Sequence, residues 1–164
     1  MTKLDFLDRL LGHDRWTTQQ LLLLAQDLPS SDFDTDFGIG HGTLRATFLH
    51  IIRNVEVWSS LLLDETPEDA SGESVSDLLE RLAKAADRLS RAADRIREAE
   101  AWDEIWNDPL DGLEKTRGGA LAHVLTHSMH HRAQILYMLR RCGIQNLPEG
   151  DVLSWEAANA SQTR

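Results

Sequence analysis

Seven histidines occur in 164 residues, and four of them fall in one short stretch: His123, His127, His130 and His131. Imidazole titrates near neutral pH and is the commonest side-chain metal ligand. The stretch reads as helix. At about 100° per residue, Ala120, Val124, His127, His131, Ile135 and Met138 share one arc of about 80°. His127 and His131 therefore take core-facing places in an otherwise apolar stripe. A buried polar group without a partner costs about 1–3 kcal/mol, so both rings need hydrogen-bond or metal partners. Two histidines four residues apart on one helix present two nitrogens to a single ion, and a divalent metal between helices satisfies both.

Two ligands are too few for a firm site, so a third is expected from another helix. His50 is the candidate. It lies about 120° from the centre of its own helix's apolar seam, on the flank with Thr47, Asn54 and Leu61. Spacing alone leaves open whether it faces the same interior. His123 and His130 flank the ligand arc: His123 reads as a partly exposed polar residue, while His130 competes with His131 as a ligand or supports it. His13 and His41 read as surface residues that can reach a cavity mouth. Asn54, one turn after His50, is placed to hydrogen-bond it. Glu56 points elsewhere and reads as a cap, an ion pair or a solvated side chain. Arg132 is read as a carboxylate-binding or interface residue. Cys142 ends a helix, where the dipole disfavours a thiolate, and reads as packing. Trp16 and Trp58 sit in core patterns, whereas Trp102 and Trp106 are placed to wall a pocket. No nucleophile motif or phosphate-binding loop stands out, so no side chain is assigned as catalytic.

The elements that must position these residues are four long amphipathic segments, at about Thr2–Asp27, Thr43–Leu63, Val75–Ala101 and Gly119–Arg141. Nothing reads convincingly as strand. Thr43 is a predicted N-cap, and Ser74 with Asp77 a predicted capping box. Leu78, Leu82, Ala85, Leu89, Ala92 and Ile96 make a bundle seam on the third segment, with alanines allowing close approach. Leu44, Phe48, Ile51, Val55, Trp58 and Leu62 make one on the second. The prediction is an all-α four-helix bundle forming a single domain over residues 1–164, with its core at about 2–143. The connections around 30–42, 64–73 and 102–118 are long enough for a crossover. In the tail from Ile144, Leu147, Val152, Leu153 and Trp155 are expected to tuck against the bundle and Ala160 to Arg164 to fray. Leu121, Leu125, Met129, Leu136 and Leu139 form a second apolar face on the fourth segment, which predicts a homodimer through that helix.

The composition is 41% hydrophobic and 27% charged, ordinary for a folded domain. A net charge of −10 disfavours nucleic acid. No apolar run is long enough to span a membrane. The first residues lack the pattern of a secretory leader, so a cytoplasmic location is expected. The single cysteine excludes an internal disulfide or a multi-cysteine metal site in one chain.

Gly42-Thr43-Leu44-Arg45-Ala46-Thr47-Phe48-Leu49-His50-Ile51-Ile52, followed by Glu56 and Trp58, resembles the second-helix signature of the DinB/YfiT-like superfamily. His127-x-x-x-His131-Arg132-Ala133-Gln134 resembles its fourth-helix signature, and His13-Asp14-Arg15-Trp16 is similar to its first-helix pattern. The resemblance spans about the first 140 residues. It implies a bundle of up-down-down-up topology, often dimeric, with an open three-histidine site for a divalent metal, zinc or nickel. Residue by residue, that site carries over to His50, His127 and His131. Three neutral nitrogens leave one position open, the arrangement of a catalytic rather than a structural zinc. The activity implied is metal-dependent chemistry on a small molecule, either thiol S-transfer with a low-molecular-weight thiol or hydrolysis. The alternative is a non-catalytic metal- or ligand-binding stress-response protein. The family name does not imply DNA binding.

Overall fold

The computed structural model describes residues 4–162. Its first helix, α1 (Phe6–Ala25), starts behind a reciprocal cap, in which the Asp5 carboxylate accepts from the Asp8 N–H and the Asp8 carboxylate from the Asp5 N–H. The expected start at Thr2 lies outside the described residues. After the single turn α2 (Ser30–Phe33), α3 (Leu44–Leu62) begins at the predicted Thr43 cap, whose hydroxyl accepts from the Ala46 N–H at 3.0 Å. The helix α4 (Val75–Glu98) opens on the predicted Ser74–Asp77 box and stops short of Ala101, where Glu100 turns to φ 51°. α1, α3 and α4 thus each have a free N–H of the first turn met by a side-chain cap, which helps to fix where the helix starts.

Between α4 and α5 (Arg117–Arg141) the structure departs from the expected irregular connection. Ile105–Asn107 (β1) and Glu114–Thr116 (β2) pair antiparallel, with Trp106 opposite Lys115. Three-residue strands are too short to show an alternating pattern, so the hairpin left no periodic signal. It closes through Asp108, whose N–H donates to the Leu113 carbonyl at 2.9 Å and whose carbonyl accepts from Gly112 at 2.8 Å. The two glycines at the head of α5 are not a break. Gly118 donates its N–H to the Trp102 carbonyl at 2.9 Å, and a Cβ there would press on that backbone.

The chain is mostly helical. α1 packs against α4 and α5, and so does α3, so α1 and α3 lie across the bundle from each other. Both predicted seams are buried throughout their length. The core divides into two apolar clusters. One contains Leu22, Phe48, Ile51, Leu82 and Ile135, and the other Val55, Leu62, Leu89, Ile96 and Val124. On α5, His127 and His131 fall between Val124 of one cluster and Ile135 of the other. On α3, His50 sits beside Ile51 of the first cluster and just over one turn from Val55 of the second. The three histidines thus lie where the two apolar clusters meet.

Four expectations are corrected. Arg132 is turned inward instead of toward a substrate or another subunit: it is 3% exposed and ion-paired with Asp14, itself 4% exposed, between α1 and α5. Thr18, which donates to the Asp14 carbonyl at 2.9 Å, lies 3.4 Å from the same guanidinium. His13 is buried rather than at the surface, its Nε2–H donating to the Gly150 carbonyl at 2.8 Å. The tail folds as α6 (Val152–Gln162), nucleated by Asp151, which accepts from the Ser154 N–H at 2.9 Å. Trp155 lies against Gly12, where any Cβ would strike its ring, and Leu147 packs on the core, but Leu153 is 74% exposed. Residues Ala160 to Gln162 are helical, and Thr163 and Arg164 lie outside the described residues. The second apolar face of α5 is also largely internal. Leu121 and Leu139 are buried in the bundle and Leu136 packs on the core, leaving Met129 56% exposed beside a half-buried Leu125.

Removing one partner of a buried ion pair strands the other charge. Asp14→Ala is expected to destabilise the fold by about 3–5 kcal/mol, read as a lower urea midpoint. The double variant Asp14→Leu/Arg132→Met is expected to recover most of that loss, because no uncompensated charge then remains. A double variant no more stable than Asp14→Ala would show that the pair does not set the cost.

Candidate metal centre

The α3–α5 interface brings His50, His127 and His131 together. The His127 Nε2 atom lies 3.1 Å from His50 Nε2 and 3.3 Å from His131 Nε2. A tetrahedral ion with metal–nitrogen bonds of about 2.0–2.1 Å has nitrogen–nitrogen edges of about 3.3 Å. Both measured separations match that edge. His50, the residue that spacing left undecided, faces the interior because α3 crosses α5 on the flank of its seam.

One ring's protonation state follows from its neighbour. The Nδ1–H of His131 donates to the Gln134 side-chain carbonyl at 2.8 Å, which leaves its Nε2 lone pair directed at His127. The Gln134 amide in turn donates to His130 Nε2 at 3.2 Å. An orienting hydrogen bond on the remote nitrogen is the usual support of a metal-binding imidazole. His130 is therefore a neighbour of the orienting amide, and it is exposed.

His41 also belongs to the cluster. Its ring centroid is 3.7 Å from that of His50 and 5.2 Å from that of His131. Among the described residues, His41, His50 and His131 each offer a ligand atom within 4.8 Å of the others, a group able to hold a metal ion. His41 was read as a surface residue, and it is exposed, but it covers the site. The only sequence signal was its place in the glycine-rich stretch immediately before the Thr43 cap. Gln134 carried a signal as well, lying three residues after His131 on the same helix face.

The remaining candidates separate cleanly. His123 is exposed, its ring centroid 5.2 Å from His127 and 5.3 Å from Trp58. Asn54 does not bond His50, and its side-chain oxygen is buried without a hydrogen-bond partner. Glu56 makes a two-pronged ion pair with Arg81, at 2.8 and 2.9 Å, away from the histidines. Trp106 packs edge-on against Trp58, while Trp102 walls an apolar groove between α1 and α5 with Phe6, Leu10 and Leu125. Cys142 packs against the core, and burial raises its thiol pKa, as expected of an inert cysteine.

The donor set fits a borderline divalent metal. Burial, followed by the neighbouring His41 and His131, pushes the His50 pKa down to about 4. Burial, followed by His131 and His50, does the same to His127, also to about 4. His131 is lowered by burial, against a raising contribution from Gln134. All three rings are therefore neutral at pH 7, the state that binds metal. The Nδ1 of His127 is buried without a partner among the described residues. The Nε2 of His127 faces two imidazole nitrogens at once, and its one N–H or one lone pair cannot make a full hydrogen bond to both. A cation among the three Nε2 atoms would accept a lone pair from each.

The sequence model of the DinB family matches residues 1–160. Among curated proteins, none matches the chain.

In the metal-free chain, His50 and His127 have folded-state pKa values near 4, below the unfolded value of about 6.5. As pH falls below about 6.5 the unfolded chain takes up protons first, so stability falls progressively toward pH 4. Above that window both states are neutral and the effect vanishes. Urea midpoints of chelator-treated protein should therefore drop between these pH values, and the slope should flatten in His50→Ala and His127→Ala. Gln134→Leu is expected to lower metal affinity by about 10–100-fold, measured by competition with a chromophoric chelator. An unchanged affinity would show that His131 is oriented by packing alone.

Proposed function

The chain belongs to the DinB family, and from that premise we propose that His50, His127 and His131 hold one divalent ion, zinc or nickel, in a site open to a small molecule. The observation that carries this reading is the pair of nitrogen separations at His127, which match the edge of a tetrahedral ligand set. The donor chemistry supports it: neutral nitrogens without carboxylate or thiolate suit zinc or nickel over magnesium or calcium.

When bound, such an ion supplies Lewis acidity, polarising a carbonyl or stabilising a thiolate near neutral pH. We favour thiol S-transfer with a low-molecular-weight thiol, or hydrolysis, as the reaction. The chain's own groups would do the rest. Gln134 holds His131 in one tautomer. The helix backbones of α3 and α5 hold His50 and His127 in place before substrate arrives. Exposed His123 and His130, both on one side of the ligand arc, are placed to exchange protons with a bound molecule. A non-catalytic metal- or ligand-binding role is the competing reading.

The same proposal extends to assembly and place. We infer up-down-down-up helix directions: Asp8 at the start of α1 meets Arg97 at the end of α4, Glu56 on α3 and Leu63 at its C-cap meet Arg81 and Arg95 along α4 in the same order, and Arg117 at the start of α5 meets Leu62 at the end of α3. We infer a homodimer through the exposed apolar remnant around Leu125 and Met129, adjoining the Phe6–Trp102 groove. We infer a cytoplasmic location and no membrane or nucleic-acid partner; no helix among the described residues is long and apolar enough to cross a membrane.

Metal analysis of purified protein should give one ion per chain, lost on chelation and in the His50→Ala, His127→Ala and His131→Ala variants. A stoichiometry near zero, unchanged by His127→Ala, would sink the metal reading. Zinc- and nickel-loaded protein assayed with thiols plus electrophiles, and with esters and amides, tests turnover; none with any of these would favour the binding role. A monomer in sedimentation at micromolar concentration would count against the dimer.

A further inference from the structure

The three helix-borne histidines leave one coordination position open, and the residue facing it is not a solvent molecule's natural neighbour but a fourth imidazole. We propose that His41 is a displaceable fourth ligand: its loop closes the open position at rest and must swing away to admit an exogenous ligand. The inference rests on the metal reading above.

Four observations carry it. First, the His41 ring covers the cluster, 3.7 Å from His50 between centroids, and its ligand nitrogen lies within 4.8 Å of those of His50 and His131. The His127 separations of 3.1 and 3.3 Å are already at the tetrahedral edge, and His41 stands next to that set rather than within it. Second, His41 alone of the four comes from a loop, while the others are locked on helices. Third, that loop is built to pivot. Gly38, Gly40 and Gly42 stand at φ 69°, 55° and 84°, a region other residues rarely adopt. A closed turn holds its ends, with Phe37 N–H donating to the Gly42 carbonyl at 2.8 Å and Gly42 N–H to the Ile39 carbonyl at 2.9 Å. Fourth, the loop touches the site's own support. A Cβ on Gly40 would strike the Gln134 amide that orients His131. Loop position and ligand orientation therefore meet at one side chain.

Closure has a predictable consequence. An incoming ligand binds only the open form, so a position closed nine-tenths of the time weakens its apparent affinity about tenfold. The molecule that opens the site must out-compete a neutral imidazole for the metal. That requirement selects anionic, strongly donating ligands such as a thiolate over a neutral alcohol or water.

X-ray absorption at the zinc edge of the loaded full-length protein counts imidazoles without reference to activity. Four are expected in wild type and three plus a light atom in His41→Ala, with one zinc per chain retained in both. Azide titrated into the cobalt-loaded proteins should bind His41→Ala about tenfold more tightly than wild type. Three imidazoles in both proteins, with equal azide affinities, would overturn the proposal and leave His41 merely stacked on His50. The wild-type imidazole count decides the matter by itself if His41→Ala fails to fold. Zinc retained by His127→Ala but lost from His41→Ala would overturn the reading beneath it instead, moving the ligand set to His41, His50 and His131.

Discussion

The constraint on which this structure turns is the burial of imidazole nitrogens inside a helix–helix interface. An apolar side chain at His127 or His131 would need nothing from its neighbours. An imidazole there needs a partner for each nitrogen, and the α3–α5 crossing gives those nitrogens mainly to one another. His127 Nε2 faces two imidazole nitrogens with one N–H or one lone pair to offer. Burial, followed by the neighbouring His131 and His50, depresses the His127 pKa to about 4, and its remote Nδ1 is buried without a hydrogen-bond partner among the described residues.

The same helix meets a second polar demand one residue later. His131 and Arg132 are adjacent in sequence and serve opposite interfaces. His131 turns to α3 and the cluster, whereas Arg132 turns to α1 and the buried Asp14 carboxylate. A helix that answers to polar partners on both sides has its rotation fixed, because turning it by one residue would break both sets at once. The ion pair thereby helps to specify the register in which the histidines converge. His13, one residue before Asp14, extends this anchoring to the C-terminal segment through the Gly150 carbonyl.

The periphery is where the chain adapts the bundle. The glycine loop before α3 carries His41 over the site, and the hairpin before α5 packs Trp106 edge-on against Trp58. Each sits at the head of a helix that carries site residues, and the hairpin also reaches the α3 seam through Trp58.

The helices and their buried faces were legible in the sequence because amphipathic periodicity is a local property. Every residue of the two predicted seams is buried, and the Thr43 and Ser74 caps form as their types require. The i, i+4 spacing of His127 and His131 likewise placed both on the inner arc. The hairpin and α6 were not legible, since three-residue strands and an 11-residue helix with a broken apolar face carry too little pattern. Arg132 and His13 were misjudged because the sequence shows that a side chain is charged or polar, not that a partner waits for it across an interface. His50 and His41 mark the remaining boundary. A helix's own period states which residues share its face, but which face meets which neighbour depends on crossing geometry. Where a loop folds back depends on contacts made only after the bundle has closed. The sequence by itself determined the ligand chemistry and the helices that present it; only the tertiary structure decided which nitrogens meet and which ring covers them.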